Sequence, residues 1–326
     1  MTVFKKLIKN PASLAGIVLL LIYILVAIFA PLIAPVPENS RDQYMIPRDG
    51  FGTRPGNPGE KHILGTTEGQ YDIFYGIVWG TRTAFRVGII ITLLTLFIGI
   101  VIGSFSAFYG GWIDEVLMRV TEVFMAFPFL LAAITLTSVL QAIYGKFESG
   151  PLMIITKGLA FITFGQGFGK DVNPIQLSIL TGMMAIIAFG WMSYARVIRS
   201  NILSLKCMEY ALAARMVGNN NMRILFRHLM PNAIFPVLVM ASMDIGTYVL
   251  SFAALSFLGL GAQRGYADWG QMISFARNWI PSLAQNWHIV VFPGLAIVLF
   301  VLAWNLVGDT LRDILDPRLR GRGSGL

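Results

Sequence analysis

EYALAARMVGNNNMRILFRHLMPN, Glu209–Asn232, lies between two apolar runs near Leu177–Ala195 and Ala233–Phe257. Helix formers come first, then Gly218 and three Asn in a row, then a basic run and Pro231. Each flanking run meets the roughly 20 residues that a helix needs to cross a hydrocarbon core. The segment itself is short, basic and sharply punctuated. A chain that brackets such a segment with runs of that length crosses a membrane more than once, and the segment is one of its loops.

The rest of the chain agrees. Of 326 residues, 56% are hydrophobic and 13% charged, against about 25% charged in soluble domains. Leu14–Ile33, Val87–Phe108, Phe124–Ile143 and Ile289–Val307 are also long and apolar enough to span, which makes six. The first follows Lys5, Lys6 and Lys9. Its apolar run exceeds the roughly 7–15 residues of a signal peptide, so it reads as a retained span. Leu152–Phe168, interrupted by Lys157 and several Gly, reads as an external interfacial or re-entrant piece. A true span there would reverse everything after it.

Charge sets the orientation. The net charge is +8, and the Arg196–His228 loop carries Arg196, Arg199, Lys206, Arg215, Arg223 and Arg227 against the single acid Glu209. With six spans, that loop and both basic ends, including Arg312, Arg318, Arg320 and Arg322, lie in the cytoplasm. The Pro/Gly-rich stretch near Pro35–Arg86 falls outside. Trp112, Trp269, Trp287 and Trp304 fall near span ends, as interfacial anchors do. A nucleic-acid role needs a soluble basic face, and the sequence has none. One Cys, Cys207, excludes an internal disulfide, and His62, His228 and His288 share no metal-ligand spacing.

Within the loop, Lys206–Gly218 is good helix sequence. Gly218 with Asn219–Asn221 is a stop, Met222–Leu229 can form a second short helix, and Pro231 opens the next span. At about 100° per residue, Lys206, Glu209 and Ala213 share one stripe. Met208, Leu212 and Met216 share another, and Cys207, Ala211, Ala214 and Gly218 a third. Such a helix is too apolar for open water and too short to span. It either rests on the membrane surface or docks in a groove of a cytoplasmic partner. The stripes alone do not separate these readings.

AARMVGNNNMRILFRHLMP resembles the cytoplasmic loop motif of ABC-importer permeases, Glu-Ala-Ala, three residues, Gly, nine residues, Ile-x-Leu-Pro. Ala213, Ala214, Gly218 and Pro231 fall at its spacing. Leu212 stands for the Glu, His228 for the Ile and Met230 for the Leu, and Glu209, one turn earlier, offers an acid to the same region. Asp114–Ile134, Leu255–Ile273 and Phe292–Arg320 are similar to the dipeptide/oligopeptide/nickel permease family, best to its second-subunit, C-type branch. His62–Phe74 resembles the family's external segment less closely, departing at Thr67, Gln70 and Tyr71, and the region near 144–175 looks like an insertion.

The resemblance implies an all-α polytopic membrane protein with six transmembrane helices and a short cytoplasmic coupling helix. One permease domain fills 1–326, with a first span over 14–33, an external loop over 35–86 and core spans over about 87–307. A coupling segment follows at about 203–231 and a cytoplasmic tail at 308–326. It implies a bacterial or archaeal cell membrane, a second homologous permease that shares the path, two cytoplasmic ATPases and an extracytoplasmic binding protein. Glu209, Leu212, Ala213, Ala214, Arg215 and Gly218 would couple the chain to an ATPase. Peptides are the default cargo, with oligosaccharides or nickel chelates as alternatives.

The chain lacks a G-x-x-x-x-G-K-[ST] loop: Gly145-Lys146 is followed by Phe and Gly169-Lys170 by Asp, neither of which offers a hydroxyl to Mg²⁺. No cofactor is expected in this subunit; ATP and Mg²⁺ belong to the partners. Asp244, in VMASMDIGTYVL, sits mid-span. A carboxylate facing lipid is costly, so it faces the path or the partner permease, or is capped by Ser242, Thr247 or backbone. Arg119 has helical spacing to Glu115 and Glu122, and Pro128 and Pro236 read as kinks. A secondary transporter or channel would show inverted repeats or several intramembrane charges. A membrane-embedded enzyme would show a catalytic cluster at depth. The sequence shows neither.

Overall fold

The computed structural model describes residues 11–38, 40, 42–50, 52–144, 150–165 and 172–315. Lys5, Lys6, Lys9, Gly145-Lys146, Gly169-Lys170, Arg318, Arg320 and Arg322 lie outside the described residues. The major helices are α1 (Pro11–Ile33), α2 (Ile73–Tyr109), α3 (Gly111–Met125), α4 (Phe129–Tyr144), α5 (Pro151–Phe164), α6 (Pro174–Gly190) and α7 (Met192–Lys206). The short α8 (Glu209–Met216), α9 (Asn221–Arg223) and α10 (Met230–Ala233) follow, then α11 (Phe235–Phe257), α12 (Trp269–Ser274) and α13 (His288–Leu315). Five stretches are long and apolar enough to cross a membrane, with α6 and α7 counted as one, and the bent pair α3–α4 makes a sixth. The all-α, polytopic class expected from the sequence is the one observed.

α2 is the axis of the bundle. Its 37 residues make a rod of about 55 Å, well beyond a hydrocarbon core of about 30 Å. It packs along α7 and α11; α11 packs along α13, and α13 along α1. Gly99 and Gly103 permit the α2–α7 approach. A Cβ on Gly103 would stand 2.3 Å from the Ala195 carbonyl oxygen, the small-residue contact that membrane helices use to pack. α1 is tied to α2 by a different device. Pro31 has no N–H for the Ala27 carbonyl one turn back. Arg82 supplies the missing donor: Nε reaches Ala27 O at 2.5 Å and Nη2 reaches Ile28 O at 3.1 Å.

Several expected boundaries move. α2 starts at Ile73, so the loop assigned to 35–86 ends at Asp72, whose side chain caps the helix by accepting the Tyr75 N–H at 2.7 Å. The third span is not one straight helix over 124–143. It breaks after Met125 and turns by 88° into α4, with Pro128 at the break, where it cannot donate and disfavours helix in the residue before it. Pro236 lies in the first turn of α11, where proline is tolerated, two residues after the break at Ile234 that separates α10 from α11. α7 continues through Lys206, so residues 203–206 of the expected coupling segment are the last turn of that helix. α13 continues to Leu315, so the tail assigned to 308–326 begins as helix. α5, 14 residues long, buries Leu159 and Ala160 against the bundle. Trp112 and Trp287 are exposed, but Trp269 and Trp304 pack with the core instead of anchoring an interface.

The segment before α2 folds back onto the chain ahead of α12. Tyr44 stacks on Tyr266 at 5.6 Å, and Met45 pairs with Tyr266 through the backbone. His62 pins this cap: Nδ1 lies 2.5 Å from Asp72 Oδ2 and Nε2 lies 2.8 Å from Asp49 Oδ2. Two carboxylates can both be served only by a doubly protonated ring. Partial burial opposes the charge, but the hydrogen bonds to Asp72 and Asp49 outweigh it, and the His62 pKa is raised. A raised folded pKa stabilises fully below the ordinary value of 6.5 and less as pH climbs through the folded value. The loss of melting temperature caused by His62→Gln should therefore be widest below pH 6.5 and shrink as pH rises. A loss that stays constant into the alkaline range would contradict the pairing.

Candidate coupling site

At the end of α7, Lys206 Nζ donates to the carbonyls of Ala107 and Phe108 at 3.2 and 2.9 Å. Those carbonyls belong to the last turn of α2, where helix carbonyls lack intrahelical donors. The chain then extends at Met208 (φ −74°, ψ 149°) and starts α8. The helix expected over Lys206–Gly218 is thus two pieces, with Lys206 in α7 and eight residues in α8. α8 ends in a Schellman motif. The Asn219 N–H donates to Ala214 O at 3.2 Å and the Gly218 N–H to Arg215 O at 2.9 Å. Gly218 has φ +81°, and nothing among the described residues lies within 4 Å of where its Cβ would be. Conformation, not space, demands glycine. The left-handed region costs an L-residue about 1–2 kcal/mol, and a β-branched one more. Gly218→Val should speed amide exchange across 209–219 by roughly 5–30-fold, and Gly218→Asn far less. Equal protection in all three proteins would contradict this account.

The underside of the segment is anchored. Ala211 and Ala214 from α8, with Ile224, Leu225 and Leu229 from a π-helical turn (Ile224–Leu229), are buried against Phe108, Tyr194 and Ile198. The opposite face is bare. Leu212, Met216 and Val217 are 45%, 82% and 83% exposed, and Glu209, Ala213 and Arg215 are exposed around them. Of the two alanines expected to meet a partner, only Ala213 faces outward. Ala214 is small because α8 packs closely on the π turn of its own chain. A helix held from below that presents a narrow apolar stripe with a charged rim has the form of a docking element.

A further contact ties α7 to its neighbours. Arg199 Nε and Nη2 bind Asp114 Oδ1 and Oδ2 at 2.6 and 2.5 Å, a bidentate pair. Ser106 Oγ donates to the same carboxylate. The contact joins α2, the start of α3 and α7. Arg119 meets Glu122 at 3.1 Å, and both are exposed, so that pair adds little.

Asp244 lies at mid-length in α11, half-buried, and accepts the Tyr194 hydroxyl at 2.6 Å. The local caps considered for it do not serve: Ser242 donates to Val239 O, and Thr247 is exposed. Its partner comes from α7. The six residues expected to couple therefore cluster on α8 and its C-terminal stop, while Asp244 stands apart in the bundle. Asp114 and Tyr194 were missed because their partners are 85 and 50 residues away, beyond any helical spacing.

Residues 99–321 match the family described as binding-protein-dependent transport system inner membrane component. Residues 2–48 match the N-terminal TM domain of oligopeptide transport permease C. The chain is 34% identical to a dipeptide transport system permease protein of Alkalihalophilus pseudofirmus, over 97% of this chain and 89% of the relative. It is 32% identical to a glutathione transport system permease protein of Pectobacterium atrosepticum, over 97% of this chain and 90% of the relative. It is also 32% identical to an oligopeptide transport system permease protein of Bacillus subtilis, over 96% of this chain and 87% of the relative.

Proposed function

We propose a function for this chain, which belongs to the family of binding-protein-dependent transport system inner membrane components. It is a multi-pass permease subunit of an ABC importer. The cargo is a short peptide, a reading supported by relatives named for dipeptides, oligopeptides and glutathione. Oligosaccharides and nickel chelates are the competing cargoes. A second homologous permease completes the path, an extracytoplasmic binding protein delivers the substrate, and two cytoplasmic ATPases hold ATP and Mg²⁺. The absence of a phosphate loop from this sequence supports that division. Both termini and α8 face the cytoplasm of a bacterial or archaeal cell, as the basic residues Arg215, Arg223 and Arg227 near α8 suggest.

The observation that carries the coupling role is the split of α8. One face is packed on the π turn and α7, and the other bares Leu212, Met216 and Val217. Glu209, Ala213 and Arg215 rim the contact, and Gly218 stops the helix. Closure of the ATPases pushes on α8, and Lys206 and Arg199 pass the push into α2 and α3. Asp244, tied to Tyr194, borders the path or the partner permease. In proteoliposomes holding the complete importer and its binding protein, ATP should drive uptake of a labelled di- or tripeptide but not of an oligosaccharide or a nickel chelate. Asp244→Asn should lower that uptake several-fold with assembly unchanged. Uptake of only a non-peptide cargo would overturn the cargo reading, and an unaffected Asp244→Asn importer would remove Asp244 from the path.

A further inference from the structure

We propose that the cleft between α1, α2 and α13 holds a phospholipid with an anionic headgroup, its phosphate at Arg82 and Arg86. The cleft is a cavity of about 440 Å³. The two arginines project into it from positions one helical turn apart on α2. Like charges at that spacing repel, and no carboxylate lies within ion-pair reach of either among the described residues.

Their partners are all neutral. Arg82 serves the carbonyls of Ala27 and Ile28 and lies over the Trp79 ring at 4.9 Å. Arg86 donates to the Tyr44 hydroxyl at 2.5 Å and lies over the Tyr44 and Phe164 rings. Its Nη1, and the indole N–H of Trp304 on the same cleft, have no hydrogen-bond partner among the described residues. The site is rich in donors and positive charge and carries no anion among the described residues. Guanidinium pairs match phosphate oxygens in geometry and charge.

Position and walls select a lipid over a soluble anion. Arg86 immediately precedes the apolar run that opens at Val87, which puts it at the edge of the hydrocarbon layer. Ile24 on α1 and Ile89 on α2 lie one turn deeper, and Ile28 and Ile89 are exposed on the cleft's open side. A phosphate at the arginines would leave its acyl chains along these isoleucines. A zwitterionic lipid brings no net charge to the two guanidiniums, whereas a headgroup such as that of phosphatidylglycerol brings one uncancelled negative charge and fits best.

The test uses the complete importer, delipidated and supplied with lipids brominated on the acyl chains, which quench nearby tryptophan. Brominated phosphatidylglycerol should half-quench the sensitive fluorescence at a mole fraction at least about fivefold below that of brominated phosphatidylcholine, a gap of about 1 kcal/mol. Trp304→Phe should remove that component. Arg82→Gln with Arg86→Gln should abolish the preference, and Arg86→Lys should keep most of it. Inorganic phosphate and glycerol 3-phosphate should not relieve the quenching. Equal quenching by the two lipids would overturn the proposal. Relief by free phosphate would assign the cleft to a soluble anion. A cross-link from Ile28→Cys to the second permease would assign it to protein. The native importer decides among these even if the double variant fails to assemble.

Discussion

Replacing Leu212 and Met216 together by aspartate should abolish the stimulation of ATP hydrolysis by loaded binding protein, at least tenfold, while the permease still inserts and assembles with its homologue. Both side chains are exposed, so the isolated fold loses little; surface substitutions usually cost within about 0.5 kcal/mol. In a docked contact the same two carboxylates would be buried without partners, at several kcal/mol. The control is Ala211→Asp, on the anchored face and fully buried. It should lower the melting temperature of the complex as well as its activity. Full stimulation in the Leu212/Met216 variant would mean that this stripe touches no ATPase.

Breaking the Asp114–Arg199 pair should have the second largest effect. Loss of one partner from a buried ion pair costs about 3–5 kcal/mol. Arg199 and Asp114 keep 32% and 18% side-chain exposure, so screening lowers the expectation to about 2–3 kcal/mol. Arg199→Ala should lower the melting temperature by several degrees. It should also reduce transport more than ATPase docking, because the link lies above α8. The exchange Asp114→Arg with Arg199→Asp should recover part of both losses. No recovery, with both single variants as stable as the native protein, would show that the pair carries no load.

The spans were legible because each is a long apolar run, and hydrocarbon demands little else of a sequence. Their ends were less legible. α2 extends back to Ile73 through Tyr75 and Trp79, aromatic residues that pack within the cap, so hydropathy falls there before the helix does. The break at Pro128 was visible as a proline, but its 88° turn depends on what α3 and α4 pack against. At the candidate site, Gly218 and the asparagines announced the end of α8, and the stripes announced its apolar surface. Which stripe would be buried was not legible, because the π turn that covers Ala211 and Ala214 is built from residues beyond the stop. Arg82 was equally silent, since its role appears only beside Pro31 of α1.

A photo-reactive residue at Met216 shows whether the bare face of α8 touches an ATPase. In the assembled importer, illumination should join position 216, and likewise 217, to an ATPase subunit, and ATP should change the yield. Position 211, on the buried face, should give no such product. Adducts from 216 and 217 that contain only lipid would make α8 a membrane-surface helix and contradict the account.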